Sequence, residues 1–130
     1  MQNIFTGIYN LYSNDTDLSD ALTGGLRFLK APQGVSCPYA VYFAEGGPGY
    51  MFTGTSYELP QIQFDVFAES NSDRQAAYDA LVALYDDATP TAMGFTPIIM
   101  ERASYRFLRT GDQWQIFQAT VIYNCRFEKQ

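Results

Sequence analysis

The end of the chain has the fewest ways to fold. Residues 96–109 and 114–127 are two long β-rich runs joined by Thr110, Gly111, Asp112 and Gln113. Turn-forming residues between two such runs specify an antiparallel hairpin. In the second run Phe117, Ala119, Val121, Tyr123, Cys125 and Phe127 fall on one face, with Gln115 ahead of them at an edge position. Strand side chains alternate with a period of two, so a slip of one residue would carry all of these groups into water. The core side of this strand is therefore fixed, and so large an apolar face needs a second layer against it.

The layer and the rest of the sheet are legible upstream. Ile4, Phe5, Ile8, Tyr9, Leu11 and Tyr12 form one stripe of a short helix over residues 2–12, interrupted by Gly7. Asp17 with Asp20 offers an N-cap and an acidic residue three positions on, and Gly24 and Gly25 stop the turn that follows. Residues 26–29 make a brief strand. Residues 37–45 alternate with apolar groups on both faces, Tyr39, Val41 and Phe43 on one and Ala40, Tyr42 and Ala44 on the other, which predicts a central strand.

Residues 46–54 hold four glycines and a proline and read as a mobile loop or hairpin tip that exposes Tyr50 and Phe52. From 59 to 69, Ile62, Phe64, Val66 and Ala68 oppose Gln61, Gln63, Asp65 and Glu69, a strand with one wet face. Ser72 and Gln75 suggest a capping box. Ala76, Ala77, Ala80, Leu81, Leu84 and Tyr85 then predict a helix over 73–87 that ends before Pro90, with a loop over 90–94. Asp86 and Asp87 close that helix at its negative end, which is unfavourable unless a cation or neighbour offsets it. The expected fold is α+β: one domain over residues 1–130, an antiparallel sheet with a long C-terminal hairpin, and helices packed on one face.

The chain has 130 residues and 47% apolar content, enough for a core of its own. Its net charge of -6 argues against a binder that neutralises nucleic-acid phosphates. No apolar run reaches the roughly 18 residues of a membrane span, and no basic-then-apolar leader opens the chain, so a soluble protein that stays where it is made is expected. The sequence contains no histidine, which excludes Ser-His-Asp, Cys-His and HExxH chemistries. Cys37 and Cys125 lie far apart without a CxxC and suggest neither a metal site nor a disulfide framework, although one bridge between them stays open. Cys125, among alternating apolar residues, reads as a small buried hydrophobe.

The run from Asp15 to Asp20 has calcium-loop flavour, but position six is Asp20, not Gly, and position twelve is Leu26, not Glu, which leaves helix capping. The glycines of 46–54 lack the GK[ST] of a phosphate cradle. Asp86 with Asp87, and Asp65 with Glu69, are carboxylate pairs that surface solvation explains without catalysis. Arg102, Arg106 and Arg109 lie in or beside one strand, with Arg102 and Arg106 expected on a common face. They act either as a guard against edge pairing or as a row that meets acidic groups of a neighbouring subunit. Ten Tyr and ten Phe exceed the needs of a core this size and point to protein interfaces.

The segment from Ile62 to Ser70 and the helix after Arg74 resemble the family of siphophage tail completion proteins, which includes tail terminators of phages and gene transfer agents. Ala31-Pro32 and Pro38-Tyr39-Ala40-Val41 match that family's "aP…PYxv" strand, and Trp114 falls where it places a Trp in a C-terminal hairpin. The resemblance covers roughly residues 20–127; the polar stretch from Ser13 to Asp20 departs from the pattern. It implies a structural virion protein of the tail-neck region, made in the host cytoplasm. Six copies would form a ring that caps the tail tube, stops its polymerisation and joins it to the head connector or stopper. DNA would pass through the lumen without specific binding. No catalytic residue, cofactor, metal or membrane association comes with the family. The assembly surfaces expected are the 46–54 loop with Tyr50, Phe52 and the nearby Tyr57, and the hairpin with Arg102, Arg106, Arg109 and Trp114. Two alternatives remain: another connector or stopper of the neck, and a monomeric ligand-binding α+β module using the same loop.

Overall fold

A computed structural model describes residues 2–44, 49–52, 55–58, 61–90, 99–110 and 116–128. The chain runs α1 (Gln2–Ser13), α2 (Thr16–Ala21), β1 (Leu26–Phe28), β2 (Tyr39–Ala44), β3 (Gly49–Phe52), β4 (Thr55–Glu58), β5 (Gln61–Ala68), α3 (Asn71–Tyr85), β6 (Ile99–Thr110) and β7 (Ile116–Glu128). The class is α+β, as the alternating and helical patterns require.

The main sheet has the order β1-β2-β5-β7-β6. All its pairings are antiparallel except β1 with β2, which is parallel. The expectation of a purely antiparallel sheet therefore needs this correction: β1 reaches β2 through residues 29–38, long enough to cross back, where a tight turn would have forced antiparallel pairing. The C-terminal hairpin is present, with Thr110 still paired to Ile116.

Residues 46–54 were expected to hold no regular element, but Gly49–Phe52 forms a strand. Tyr50 pairs with Tyr57 and Phe52 with Thr55, so β4 supplies the ladder partners that offset the cost of ordering a glycine-rich segment. Residues 46–48 and 53–54 lie outside the described residues. β4 also pairs with the last residues of β7, Tyr57 with Glu128 and Glu58 with Phe127. The β3–β4 arm thus continues β5 along β7, past the end of β2. The β6–β7 connection lies at the other end of the sheet, beside Ala68 and Phe117. The two hairpins point in opposite directions.

The helices cover one face, as expected. Ile62, Phe64, Val66 and Ala68 of β5 and Ala119, Val121, Tyr123 and Cys125 of β7 are fully buried beneath α3, which contributes Ala77, Tyr78, Leu81 and Tyr85. Each large apolar side chain buried this way contributes about 1.5–3 kcal/mol. Tyr85 stacks on Phe64 at 4.7 Å and donates its hydroxyl to the carbonyl of Ile8 at 2.8 Å, joining α3 to α1. Burial holds the Tyr85 phenol well above its ordinary pKa, and pushes that of Cys125 up to about 12. Cys37 and Cys125 are both free thiols, so no bridge joins them.

Both caps lie upstream of the positions expected. Asp15, in extended conformation, accepts from the Leu18 amide at 2.9 Å, so α2 starts at Thr16 and not after Asp17. Ser70, also extended, accepts from the Asp73 amide at 3.1 Å, so α3 starts at Asn71 and the Ser72–Gln75 box does not form. An N-cap must itself be non-helical, and Asp17 and Ser72 are already inside their helices. Within α3, Ala76 is exposed and Tyr78 is buried, the reverse of the expected stripe at these two positions.

Candidate assembly surfaces

β6 is a 12-residue edge strand, paired with β7 on one side and with no described strand on the other. Its register slips between Arg102 and Ser104, leaving Ala103 without a partner as a β-bulge. This overturns the expectation that Arg102 and Arg106 share a face. Arg102 lies opposite Tyr123 on the helix-covered face, whereas Arg106 lies opposite Thr120 on the other. One extra residue reverses the alternation, so Met100 and Arg102 before the bulge share a face with Tyr105, Phe107 and Arg109 after it.

On that face two arginines pin β6 to opposite ends of α3. At the C-terminal end, Arg102 donates to the Tyr78 hydroxyl at 2.8 Å and pairs with Asp86 at 3.3 Å. Tyr123 also donates to Asp86, at 2.8 Å. Asp86 caps α3, so the cation that its position required is Arg102. Burial, and next the hydrogen bond to Asp86, hold the Tyr123 phenol far above its ordinary pKa. The Tyr78 hydroxyl raises the Arg102 pKa further. At the N-terminal end, Arg74 donates to the carbonyl of Leu108 at 3.2 Å and lies 4.9 Å and 5.3 Å from the ring centres of Phe107 and Phe117. Arg109 covers the Phe117 ring at 4.7 Å. Between the two pins, Tyr78 meets Phe107 edge-on at 4.9 Å and Tyr105 at 5.8 Å.

Sequence reasoning placed Arg102, Arg106 and Arg109 on one strand, and β6 carries all three. Tyr50 and Phe52 lie on β3 and Tyr57 on β4, in an arm separate from β6. Trp114 lies outside the described residues. Asp86, Tyr123 and Tyr78 were not singled out as partners of Arg102; the unfavourable aspartates closing α3 were the signal for them.

The opposite edge was missed. β1 ends at Phe28, whose ring packs on Phe5 of α1 at 4.5 Å. Leu29 follows in a left-handed conformation, φ 68°, and is 63% exposed. Residues 29–38 fold over the other face of the sheet and border an open groove of about 480 Å3, lined by Leu29, Pro32, Val35, Phe43, Phe67 and Asp65 among others. The ring of Tyr39 stacks on Phe67 there at 5.1 Å. Asp65 accepts from Thr120 at 2.7 Å and from Gln63 at 3.0 Å, which ties this carboxylate into a neutral polar row.

No model of a known protein family matches the chain, and no curated protein matches it. Among solved structures it is similar to a chain of the virion of a native gene transfer agent particle, at 13% identity and a TM-score of 0.81. That match covers 93% of this chain and 91% of the other, so the two share their fold over nearly their whole lengths.

Proposed function

We propose that the protein is a structural, non-enzymatic component of a phage-like virion. More specifically, it is the tail terminator, whose ring of six copies caps the tail tube, stops its polymerisation and joins it to the head connector. The observation that carries this reading is the fold shared from end to end with a chain of a gene transfer agent virion. The architecture supports it in kind. A long edge strand with no described strand beside it and two hairpins at opposite ends of the sheet are features of a part that touches neighbours on several sides. The net charge of -6 suits a lumen through which DNA slides without being held.

The test is electron microscopy of tail-tube protein polymerising with and without the purified chain. Tubes of limited length, each ended by a six-fold ring, are expected. Tubes of unchanged length with bare ends would reject the terminator role. Binding to head connectors alone would assign the protein to another position in the neck.

The groove beneath residues 29–38 favours a second reading, a monomeric module that takes a small ligand there. A chain that stays monomeric with and without tubes, and is stabilised by such a ligand, would support it.

A further inference from the structure

β2 and β5 make the floor of the groove beneath residues 29–38, and Asp65 stands in the middle of it. Asp65 lies opposite Val41. Tyr39 and Phe43 are its diagonal neighbours on β2, at the roughly 7–8 Å that aromatic side chains span, and Phe67 follows on the same face of β5. Three aromatic rings thus flank one carboxylate, and among the residues lining the groove Asp65 alone is charged. We infer that this groove binds an arginine side chain presented by a segment of a partner protein. The inference holds whether or not the chain caps a tube.

The carboxylate is oriented before any ligand arrives. Gln118 donates to the Thr120 hydroxyl at 3.2 Å, and Thr120 donates to Asp65 Oδ1 at 2.7 Å. The Gln63 amide bridges both carboxylate oxygens, at 3.0 Å and 3.2 Å. These donors are all neutral and leave part of the roughly four lone-pair sites of a carboxylate free. No cation among the described residues pairs with Asp65. Arg27 and Arg106 stand in the same cross-strand row, each two strands away. Strand spacing puts their backbones roughly 10 Å off, about a Debye length, so a cation in contact with Asp65 feels that carboxylate far more strongly than either arginine. Arg27 is also turned to the Gly24 carbonyl, at 3.2 Å. Lys30 and Glu69, one cation and one anion, are exposed and do not line the groove.

The rim supplies a second observation. Leu29 and Gly34 both line the groove and both have left-handed backbone, φ 68° and φ 82°. Glycine adopts that conformation freely and leucine does not, yet Leu29 stands 63% exposed. Backbone strain of this kind collects at ligand clamps. A guanidinium suits the groove because it lies flat on an aromatic face while its N–H groups donate to a carboxylate, with its apolar stem laid along an apolar wall. The openness of the groove selects a tethered group over a free one. Small-molecule sites bury about 70–90% of their ligand, whereas a side chain attached to a partner needs cover only along its length.

The test titrates the full chain, without tubes, with three probes, followed by calorimetry and by the NMR signals of the aromatic rings. The probes are an acetylated and amidated Ser-Ala-Arg-Ala-Ser peptide, the same peptide with neutral citrulline in place of arginine, and propylguanidine, which is the side chain alone. The arginine peptide is expected to shift the rings of Tyr39, Phe43 and Phe67 and to bind about tenfold more tightly than the citrulline peptide, the ratio expected of a charge-assisted hydrogen bond. Asp65→Asn should bring its affinity down to that of the citrulline peptide. Leu29→Asn, which suits the left-handed turn, should weaken it several-fold without lowering the melting temperature. No binding of the arginine peptide at millimolar concentration, or equal binding of the two peptides, would overturn the site even if Asp65→Asn failed to fold. Unchanged affinity in a folded Asp65→Asn would do the same. Propylguanidine that binds as tightly as the arginine peptide would overturn the partner segment and assign the groove to a free small cation.

Discussion

The Tyr123 hydroxyl donates to the Asp86 carboxylate at 2.8 Å, hooking the middle of β7 to the residue that ends α3. The same carboxylate receives Arg102 from β6, so one side chain holds the helix to two strands of the C-terminal hairpin. Replacing Tyr123 with Phe keeps the ring and removes the hydroxyl. The loss expected is about 1–2 kcal/mol, read as a lower urea midpoint at unchanged slope. An unchanged midpoint would show that Arg102 alone satisfies Asp86.

Tyr85→Phe tests the joint between α3 and α1. The phenol is fully buried and donates to the carbonyl of Ile8 at 2.8 Å. Without it the carbonyl keeps only its helical partner, and a loss of about 0.5–1.5 kcal/mol is expected. Amide exchange should quicken first in α1, since that helix loses an anchor that α3 replaces with its other contacts.

Gly24→Ala should be among the most damaging single changes. A Cβ there would lie 1.8 Å from the Ser36 carbonyl oxygen and 2.8 Å from the Tyr39 Cβ, so residues 36–39 would have to move. A loss of about 3 kcal/mol is expected, the upper range for overpacking against backbone. A melting temperature equal to that of the unaltered chain would mean that residues 29–38 can shift freely.

Alkali should unfold the protein cooperatively. Burial raises Tyr42 and Cys125 to about 12, and also raises Tyr85 and Tyr123, from ordinary values of 10 for tyrosine and 9 for cysteine. In that interval the unfolded chain has released protons that the folded chain still holds, so stability falls as pH rises. It is fully present below about pH 9 and is lost progressively towards pH 12. Circular dichroism and phenolate absorbance should change together. Phenolate signal from the buried tyrosines before any loss of structure would contradict the assignment.

The fold was legible where one period ran without interruption. β5 and β7 each alternate cleanly, and all four residues predicted for the core side of β5 are fully buried. Elsewhere a local choice was decided by neighbours. Ser70 and Ser72 are equally good caps by type, and extended backbone at Ser70 selects between them. Gly49–Phe52 has a poor strand composition but finds a ladder partner in β4. The three arginines of the candidate surface were legible as a strand feature, but their faces were not, because a bulge has no residue-type signature at Ala103. The β1 edge carried no charge run or motif, and only burial shows that Phe28 and Leu29 face outward.

Ala103 also governs how change in β6 will be read. Positions 100 and 102 look towards α3 before it, and positions 105, 107 and 109 after it. In a saturation scan, tolerance of polar residues should therefore switch from odd to even numbers at this point. A relative lacking one residue here would keep its pairing with β7 and the same faces, and would lose only the switch in numbering.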